Sequence, residues 1–197
     1  MPRSPFRPFT SRYVVLPGEN IDTDQIIPAR YLTTTESTGL GQHAFHDWRY
    51  LPDGTPNPNF PLNAPSAAGA RILVAGKNFG CGSSREHAVW ALQGAGFHAV
   101  VSSQFADIFR GNALGNGLLP IEVSKRMLAR LMDVASSQYM ASLAIDLETQ
   151  TVQLPDGDIV KFPIAPFAKH CVLEGIGEMD FLLGATERIT AFEATRS

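Results

Sequence analysis

Residues 72–87 read ILVAGKNFGCGSSREH. The apolar run at 72–75 predicts a buried strand, and the glycines at 76, 80 and 82 predict a loop, because glycine adopts backbone conformations closed to other residues. We expect a helix to start near Ser84, with its free N–H groups facing the loop, where they suit an anion. A strand, a glycine loop and a helix in this order favour an α/β fold.

Two hydroxyls and a cation fall in the first turn of this predicted helix. Arg85 follows Ser83 and Ser84 at a position where the helix dipole disfavours positive charge by up to about 1 kcal/mol. A carboxylate or phosphate that binds to Arg85 would explain its presence there. The sequence therefore predicts an anion-binding site at the helix start.

The same residues also fit a purely structural role. Ser83 as the N-cap and Glu86 three residues later match the capping box, which is worth roughly 0.5–2 kcal/mol. Three glycines exceed what a cap needs, and Arg85 opposes the electrostatics of a cap. The spacing matches neither the nucleotide phosphate loop nor the dinucleotide fingerprint, since no lysine precedes the serines and Arg85 replaces the third glycine. From these residues alone, the cap and the anion site both stay open.

Composition limits the class of protein. A chain of 197 residues that is 44% hydrophobic can form one domain with one good core. The net charge of −3 and the lack of a long basic run give no support for nucleic acid as a partner. The sequence has no apolar stretch of about 18 residues that would span a membrane, and its first residues lack the apolar segment of a secretory signal, so we expect a cytoplasmic protein.

The cysteine count limits the metal chemistry. The chain has two cysteines, Cys81 and Cys171, which cannot supply the four ligands of an iron–sulfur or zinc site. We expect no metal site in this chain alone. A disulfide between the two is not excluded by the sequence, but two free thiols are expected in a reducing cytoplasm.

Strands and helices are predicted to alternate through much of the chain. The predicted strands are at residues 11–16, 72–75, 100–102, 118–123, 143–147, 151–154 and 159–163. Helices are predicted from near residue 84, around 108–109, at about 124–136 and at 185–192. Alternation favours a parallel sheet, whereas the last three strands lack intervening helices and predict a second, antiparallel layer.

The segment at about 33–70 is predicted to be a long irregular loop. Five prolines forbid most regular structure there, and its aromatic residues argue against plain disorder. Two interpretations stay open: the loop packs over its own domain, or it contacts a partner and gates a substrate pocket.

Three segments resemble the small, swivelling domain of the aconitase superfamily. These are GCGSSREHA at 80–88, NIDTDQIIP at 20–28, and SQFADIFRGN at 103–112 with NGLLP at 116–120. Within that superfamily, GLG at 39–41 and FHDWR at 45–49 are similar to the small subunits of bacterial 3-isopropylmalate dehydratases. The resemblance covers nearly the whole chain, in order.

The resemblance implies a fold, an activity and a partner. It implies a single domain over residues 1–197 with the three-layer β/β/α swivelling fold, a parallel central sheet and a smaller antiparallel sheet. It implies a hydro-lyase subunit that isomerises 2-isopropylmalate and 3-isopropylmalate by dehydration and rehydration in leucine biosynthesis, acting with a large subunit that holds a [4Fe–4S] cluster. The alternatives are a homoaconitase or citraconate-type small subunit, and a non-catalytic anion-binding assembly module.

The resemblance also assigns roles to residues. Ser83 corresponds to the base that takes a proton from carbon, and Ser84 and Arg85 correspond to groups that hold the oxygens and carboxylate of a dicarboxylate substrate. Thr23 and Asp24 match residues of the aconitase site and are assigned to substrate binding, with a supporting role in hydrogen bonding or orientation. A serine is a poor base, and a helix dipole supplies at most about 2 kcal/mol, little more than one pKa unit. Additional stabilisation is strong only in a closed site, which predicts a partner chain.

Several further residues have two interpretations. Asp22 could form a carboxylate pair with Asp24 or an Asx-turn. Asn112 and Asn116 could point at the site, which spacing alone does not decide. Ile27 stands where aconitases proper carry a serine, which is compatible with a less polar substrate, and the loop at 31–39 is predicted to govern the substrate side group.

Overall fold

The computed structural model describes residues 4–32, 38–137, 141–184, 186 and 194. Its seven strands are β1 Phe9–Leu16, β2 Ile72–Ala75, β3 Ala99–Ser102, β4 Leu119–Glu122, β5 Ser142–Asp146, β6 Thr151–Gln153 and β7 Ile159–Lys161. Its α-helices are α1 Thr23–Ile26, α2 His46–Arg49, α3 Glu86–Gly94, α4 Asp107–Asn116, α5 Lys125–Ser137, α6 Pro166–Glu174 and α7 Glu178–Gly184.

The first four strands form the parallel part of the sheet. They lie in the order β4-β3-β2-β1, and the register places Tyr13 opposite Ile72 and Ile72 opposite Ala99. Helix α3 connects β2 to β3, and α4 connects β3 to β4. The carboxyl ends of these strands therefore meet at one edge, which positions the loops that follow them.

Strand β1 also begins the antiparallel part of the sheet. Phe9 pairs with Ile145 of β5, and β6 and β7 extend the sheet beyond it, all antiparallel. The expected α/β fold with parallel and antiparallel strands is confirmed. The two sets of strands are continuous through β1, so they form one mixed, hydrogen-bonded sheet.

The two faces of the parallel strands carry separate cores. Leu73 and Val100 face the core shared with α3 and α4, whereas Ile72 and Val74 face the core shared with α5 and the antiparallel strands. Because both faces are covered, all four residues of β2 are buried. This explains the continuous apolar run in the sequence.

The long segment before β2 packs over its own domain. It contains α2 and short 3₁₀ turns at 40–43, 61–63 and 65–67, two of them started by prolines. Phe45 is fully buried and Phe60 is 7% exposed, both in the core beside α3. The interpretation that the loop covers its own domain is therefore supported for the described residues, while residues 33–37 lie outside them.

A close backbone contact fixes α3 against this segment. Gly41 in the turn at 40–43 lies against the backbone of Gly94 near the end of α3, where any side chain on Gly41 would collide with main-chain atoms. Glycine is required because the two backbones approach so closely.

The C-terminal part contains two helices that the sequence did not predict. Helix α6 begins with Pro166, a favoured first helical residue, and is terminated by Gly175, which follows Glu174 and has a φ of 69°. Helix α7 follows it. The helix predicted at 185–192 lies outside the described residues, apart from residue 186. Among the described helices, none has the length and apolar character to cross a membrane.

Candidate active site

Two loops meet at the carboxyl edge of the parallel strands. One leads from β1 to α1, and the other, residues 76–85, leads from β2 to α3. Gly80 donates its N–H to the carbonyl of Ile21 at 2.8 Å, and Thr23 donates its N–H to the carbonyl of Cys81 at 2.9 Å. The glycine loop is thus bound along the start of α1.

Thr23 anchors the serine-bearing part of the glycine loop. Its hydroxyl donates to the backbone carbonyl of Ser83 at 3.0 Å, and the residue is only 1% exposed. In this structure Thr23 therefore orients Ser83 through the backbone.

Asp22 caps α1 and lies against the glycine loop. Its carboxylate accepts the N–H of Asp24 at 2.7 Å, and the side chain of Gln25 accepts the N–H of Asp22 at 2.8 Å. This supports the Asx-turn interpretation, since the carboxylate of Asp22 serves the helix. Gly82, with a φ of 89°, lies so close to that carboxylate that an added Cβ would collide with it.

Helix α3 starts later than predicted. Arg85 is the N-cap with an extended backbone, and Glu86 is the first helical residue. The alternative interpretation, a capping box formed by Ser83 and Glu86, is wrong, because Ser83 lies before the helix and its carbonyl is hydrogen-bonded to Thr23. Ser83 and Ser84 therefore belong to the loop.

Arg85 forms an ion pair with Asp24. Its guanidinium donates to the carboxylate of Asp24, and the two side chains are 19% and 49% exposed. The carboxylate that meets Arg85 in this structure thus comes from α1, and the pair joins the two loops.

The two serines are open to solvent. Ser83 and Ser84 are both exposed, and among the described residues the structure records no hydrogen-bond partner for either hydroxyl. A cavity of about 400 Å³ lies elsewhere, between β1, residues 61–67 and α5, and contains none of the five predicted site residues. The structure brings together Thr23, Asp24, Ser83, Ser84 and Arg85, of which Thr23 is buried and the two serines are exposed.

Comparison with known sequences identifies the family. The Aconitase C-terminal domain family matches residues 12–126, and the LeuD_N family matches residues 129–166. A 3-isopropylmalate dehydratase small subunit from Roseiflexus castenholzii is 55% identical over 190 residues, covering 96% of this chain and 93% of the relative. The chain belongs to the 3-isopropylmalate dehydratase small subunit family.

Other members of the 3-isopropylmalate dehydratase small subunit family agree over the same length. One from Anaeromyxobacter dehalogenans is 55% identical over 192 residues, which is 98% of each chain. The crystal structure of a 3-isopropylmalate dehydratase from Methanocaldococcus jannaschii is 28% identical, with a TM-score of 0.64, and covers 97% of this chain and 100% of that one.

The residues of this family member do not fit an iron–sulfur cluster. Cys81 donates its thiol to the carbonyl of Asn20 at 3.2 Å, Cys171 is buried, and neither cysteine forms a disulfide. Burial and the nearby charge of Asp22 raise the pKa of Cys81, which disfavours the thiolate that a metal requires. Within the described ranges, no three His, Cys, Asp or Glu side chains are grouped to bind a metal.

The structure connects Asn116 to the region of the predicted site. Asn116 hydrogen-bonds to Glu86, directly after Arg85, a relation that its position in the NGLLP segment only suggested. Ile27 is fully buried in the core. The compatibility of this residue with a less polar substrate stays a prediction.

Proposed function

We propose that this chain is the small subunit of a 3-isopropylmalate dehydratase. The enzyme would interconvert 2-isopropylmalate and 3-isopropylmalate by removing water and adding it back, a step in leucine biosynthesis. The observation that carries the proposal is Arg85, which is paired with Asp24 and lies beside the exposed Ser83. It occurs in a chain that is 55% identical to 3-isopropylmalate dehydratase small subunits over nearly its full length.

Arg85 would bind a carboxylate of the substrate. A guanidinium can donate two parallel hydrogen bonds to a carboxylate, and Asp24 holds this one in place. Ser84, one residue earlier and exposed, can donate a further hydrogen bond to a substrate oxygen. Together these groups would fix the substrate relative to the glycine loop.

Ser83 would act as the base. Its hydroxyl is exposed at the site, while its backbone is held by Thr23. The alkoxide form would take the proton from the substrate carbon and return it during rehydration. In water this form is too unstable, so the positive charge of Arg85 must act in a site from which water is excluded.

A large subunit would close this site and carry the cofactor. Asp24, Ser83 and Ser84 are exposed, which gives a physical reason for a second protein surface opposite them. The [4Fe–4S] cluster implied by the family is proposed to belong to the large subunit, because two cysteines cannot hold it here.

The test is reconstitution of the purified chain with its large subunit. We expect no turnover by the chain alone, and isomerisation of 2-isopropylmalate after the subunits are combined. Substituted malates with other side groups should react less well. Faster turnover of a homoaconitate-type or citraconate-type substrate would assign the chain to one of those enzymes. The remaining alternative is an assembly module. It would be favoured if the chain binds dicarboxylates without dehydration in the presence of a large subunit that is active with another small subunit.

A further inference from the structure

Asn116, the last residue of α4, uses its whole amide group in hydrogen bonds. Its oxygen accepts from the indole N–H of Trp90 at 2.9 Å, and its nitrogen donates to the carboxylate of Glu86 at 2.8 Å and to the carbonyl of Asn112 at 2.9 Å. Its backbone carbonyl accepts from the side chain of Gln93 at 2.8 Å.

We propose that Asn116 is a positioning residue for Arg85. It holds Glu86, the first residue of α3, and through that residue it fixes where the preceding Arg85 enters the site. The inference rests on the proposed function, because it assumes that Arg85 binds substrate. It adds a residue of α4 to those that control how the substrate is bound.

The start of α3 depends on this contact because local capping is missing. Arg85 is the N-cap, its φ is −139°, and its side chain makes no capping hydrogen bond. Glu86, Trp90 and Gln93 are spaced at i, i+4 and i+7, so they lie on one face of α3, and all three are bound to Asn116. One residue of α4 thus holds α3 along two turns.

Asparagine suits this position because its amide both donates and accepts. An aspartate would keep an acceptor for Trp90 but would place a second carboxylate at the 2.8 Å position beside Glu86. Repulsion between these like charges would push the start of α3, and Arg85 with it, away from its place.

The test compares Asn116→Asp with the double variant Asn116→Asp/Glu86→Gln. In the double variant, the amide of the new glutamine can donate to the new aspartate, so the contact between residues 86 and 116 is restored with the donor on the other side. The carbonyl of Asn112 loses its donor equally in both variants, so their comparison isolates the contact with residue 86. In the assembled enzyme, Asn116→Asp should raise KM for 2-isopropylmalate about fivefold to tenfold and change kcat by less than about twofold, as expected for part of a lost charged hydrogen bond. The double variant should recover a KM within about twofold of the original.

A second measurement does not depend on turnover. Amide hydrogen exchange of the isolated chain should be faster at residues 88–91, the first amides of α3 that have an acceptor within the helix, in Asn116→Asp and should return to the original rate in the double variant. Asn112→Asp makes the same charge change one turn earlier on α4 and should leave exchange at residues 88–91 unaltered. Should Asn116→Asp not fold, Glu86→Ala removes the same contact from the other side, and it should loosen the same residues.

The outcomes separate this inference from the proposed function. If the unmodified chain shows no isomerisation with its large subunit, the proposed function fails while the exchange rates still decide the role of Asn116. Unchanged exchange at residues 88–91 in both Asn116→Asp and Glu86→Ala would overturn the inference, as would a double variant that stays as impaired as the single one.

Discussion

Ser83 combines an exposed hydroxyl with a backbone that is held from another loop. Because α3 begins at Glu86, the hydroxyl does not cap the helix. Ser83→Ala should therefore change the free energy of unfolding by less than about 0.5 kcal/mol, as at most exposed positions. Loss of a general base should nevertheless lower kcat of the assembled enzyme at least about a hundredfold.

Chemical denaturation and turnover of Ser83→Ala are the two measurements. Ser66→Ala, beside the distant cavity, is the matched control and should leave both values unaltered. Near-normal turnover of Ser83→Ala would mean that the base is another group.

Arg85 depends on the geometry of its side chain as well as on its charge. Arg85→Lys keeps the charge but loses the two parallel donors, so KM for the dicarboxylate should rise roughly tenfold or more while the subunits still associate. Steady-state kinetics and size-exclusion chromatography would check this. Arg126→Lys, an exposed site on α5, serves as the control, and an unaltered KM in Arg85→Lys would argue against carboxylate binding by Arg85.

At the scale of single residues, the motifs predicted which side chains come together, although not how. Thr23, Asp24 and Arg85 were identified by resemblance, and the structure places them in contact across two loops. Two contacts were not predicted: the ion pair between Asp24 and Arg85, and the hydrogen bond from Thr23 to a backbone carbonyl. Both join segments that are about 60 residues apart in the chain. Local sequence patterns carry no information on such contacts.

At the scale of elements, Gly82 joins the glycine loop to α1. An alanine there would combine a strained φ of 89° with a collision against the capping carboxylate of Asp22. Gly82→Ala should destabilise the fold by about 1–2 kcal/mol more than Gly54→Ala, since the loss of an N-cap alone costs about that much.

Gly54 is the matched control because its φ is 82° and no atom lies within 4 Å of an added Cβ. Thermal or urea unfolding of both variants would measure the difference. Equal losses in the two variants would show that the contact between Gly82 and Asp22 contributes nothing to stability.

The ends of the described strands lie within two residues of their predicted positions. The errors in the predicted helices have physical causes. Helix α3 starts after Arg85 because the carbonyls of Cys81 and Ser83 are bound to Thr23 and are not free to begin a helix. Helix α6 buries only Cys171 and Val172, and none of the residues of α7 is buried, so neither shows a long apolar stripe.

At the scale of the whole molecule, stability should fall at acid pH. Nδ1 of His98 lies 2.9 Å from the guanidinium of Arg71, which can only donate, so the ring accepts in its neutral form. Partial burial and the charge of Arg71 lower the pKa of His98. The unfolded chain therefore takes up this proton first, and the stabilisation present above about pH 6.5 is lost as the pH falls below it.

Urea unfolding at pH 7.5 and pH 5 would test this effect. The His98→Gln variant should lose less stability between these two values than the original chain does. A loss of equal size in both proteins would assign the acid sensitivity to other groups.

The sequence predicted the strands of the mixed sheet but not the order in which they pair. Alternation of apolar residues predicts a strand but does not identify its neighbours. Strand β1 has a parallel neighbour in β2 and an antiparallel neighbour in β5, and nothing in the residues of β1 distinguishes its two edges.

The position of β1 also matters while the chain is being synthesised. Its partner β2 ends at Ala75, but its other partner, β5, ends at Asp146. At about 5–20 residues per second, a ribosome needs roughly 4–14 s to make the intervening chain. During that interval one edge of the central strand is unpaired and able to pair with strands of neighbouring nascent chains. Early capture by a chaperone would therefore protect this chain most between the emergence of β1 and that of β5.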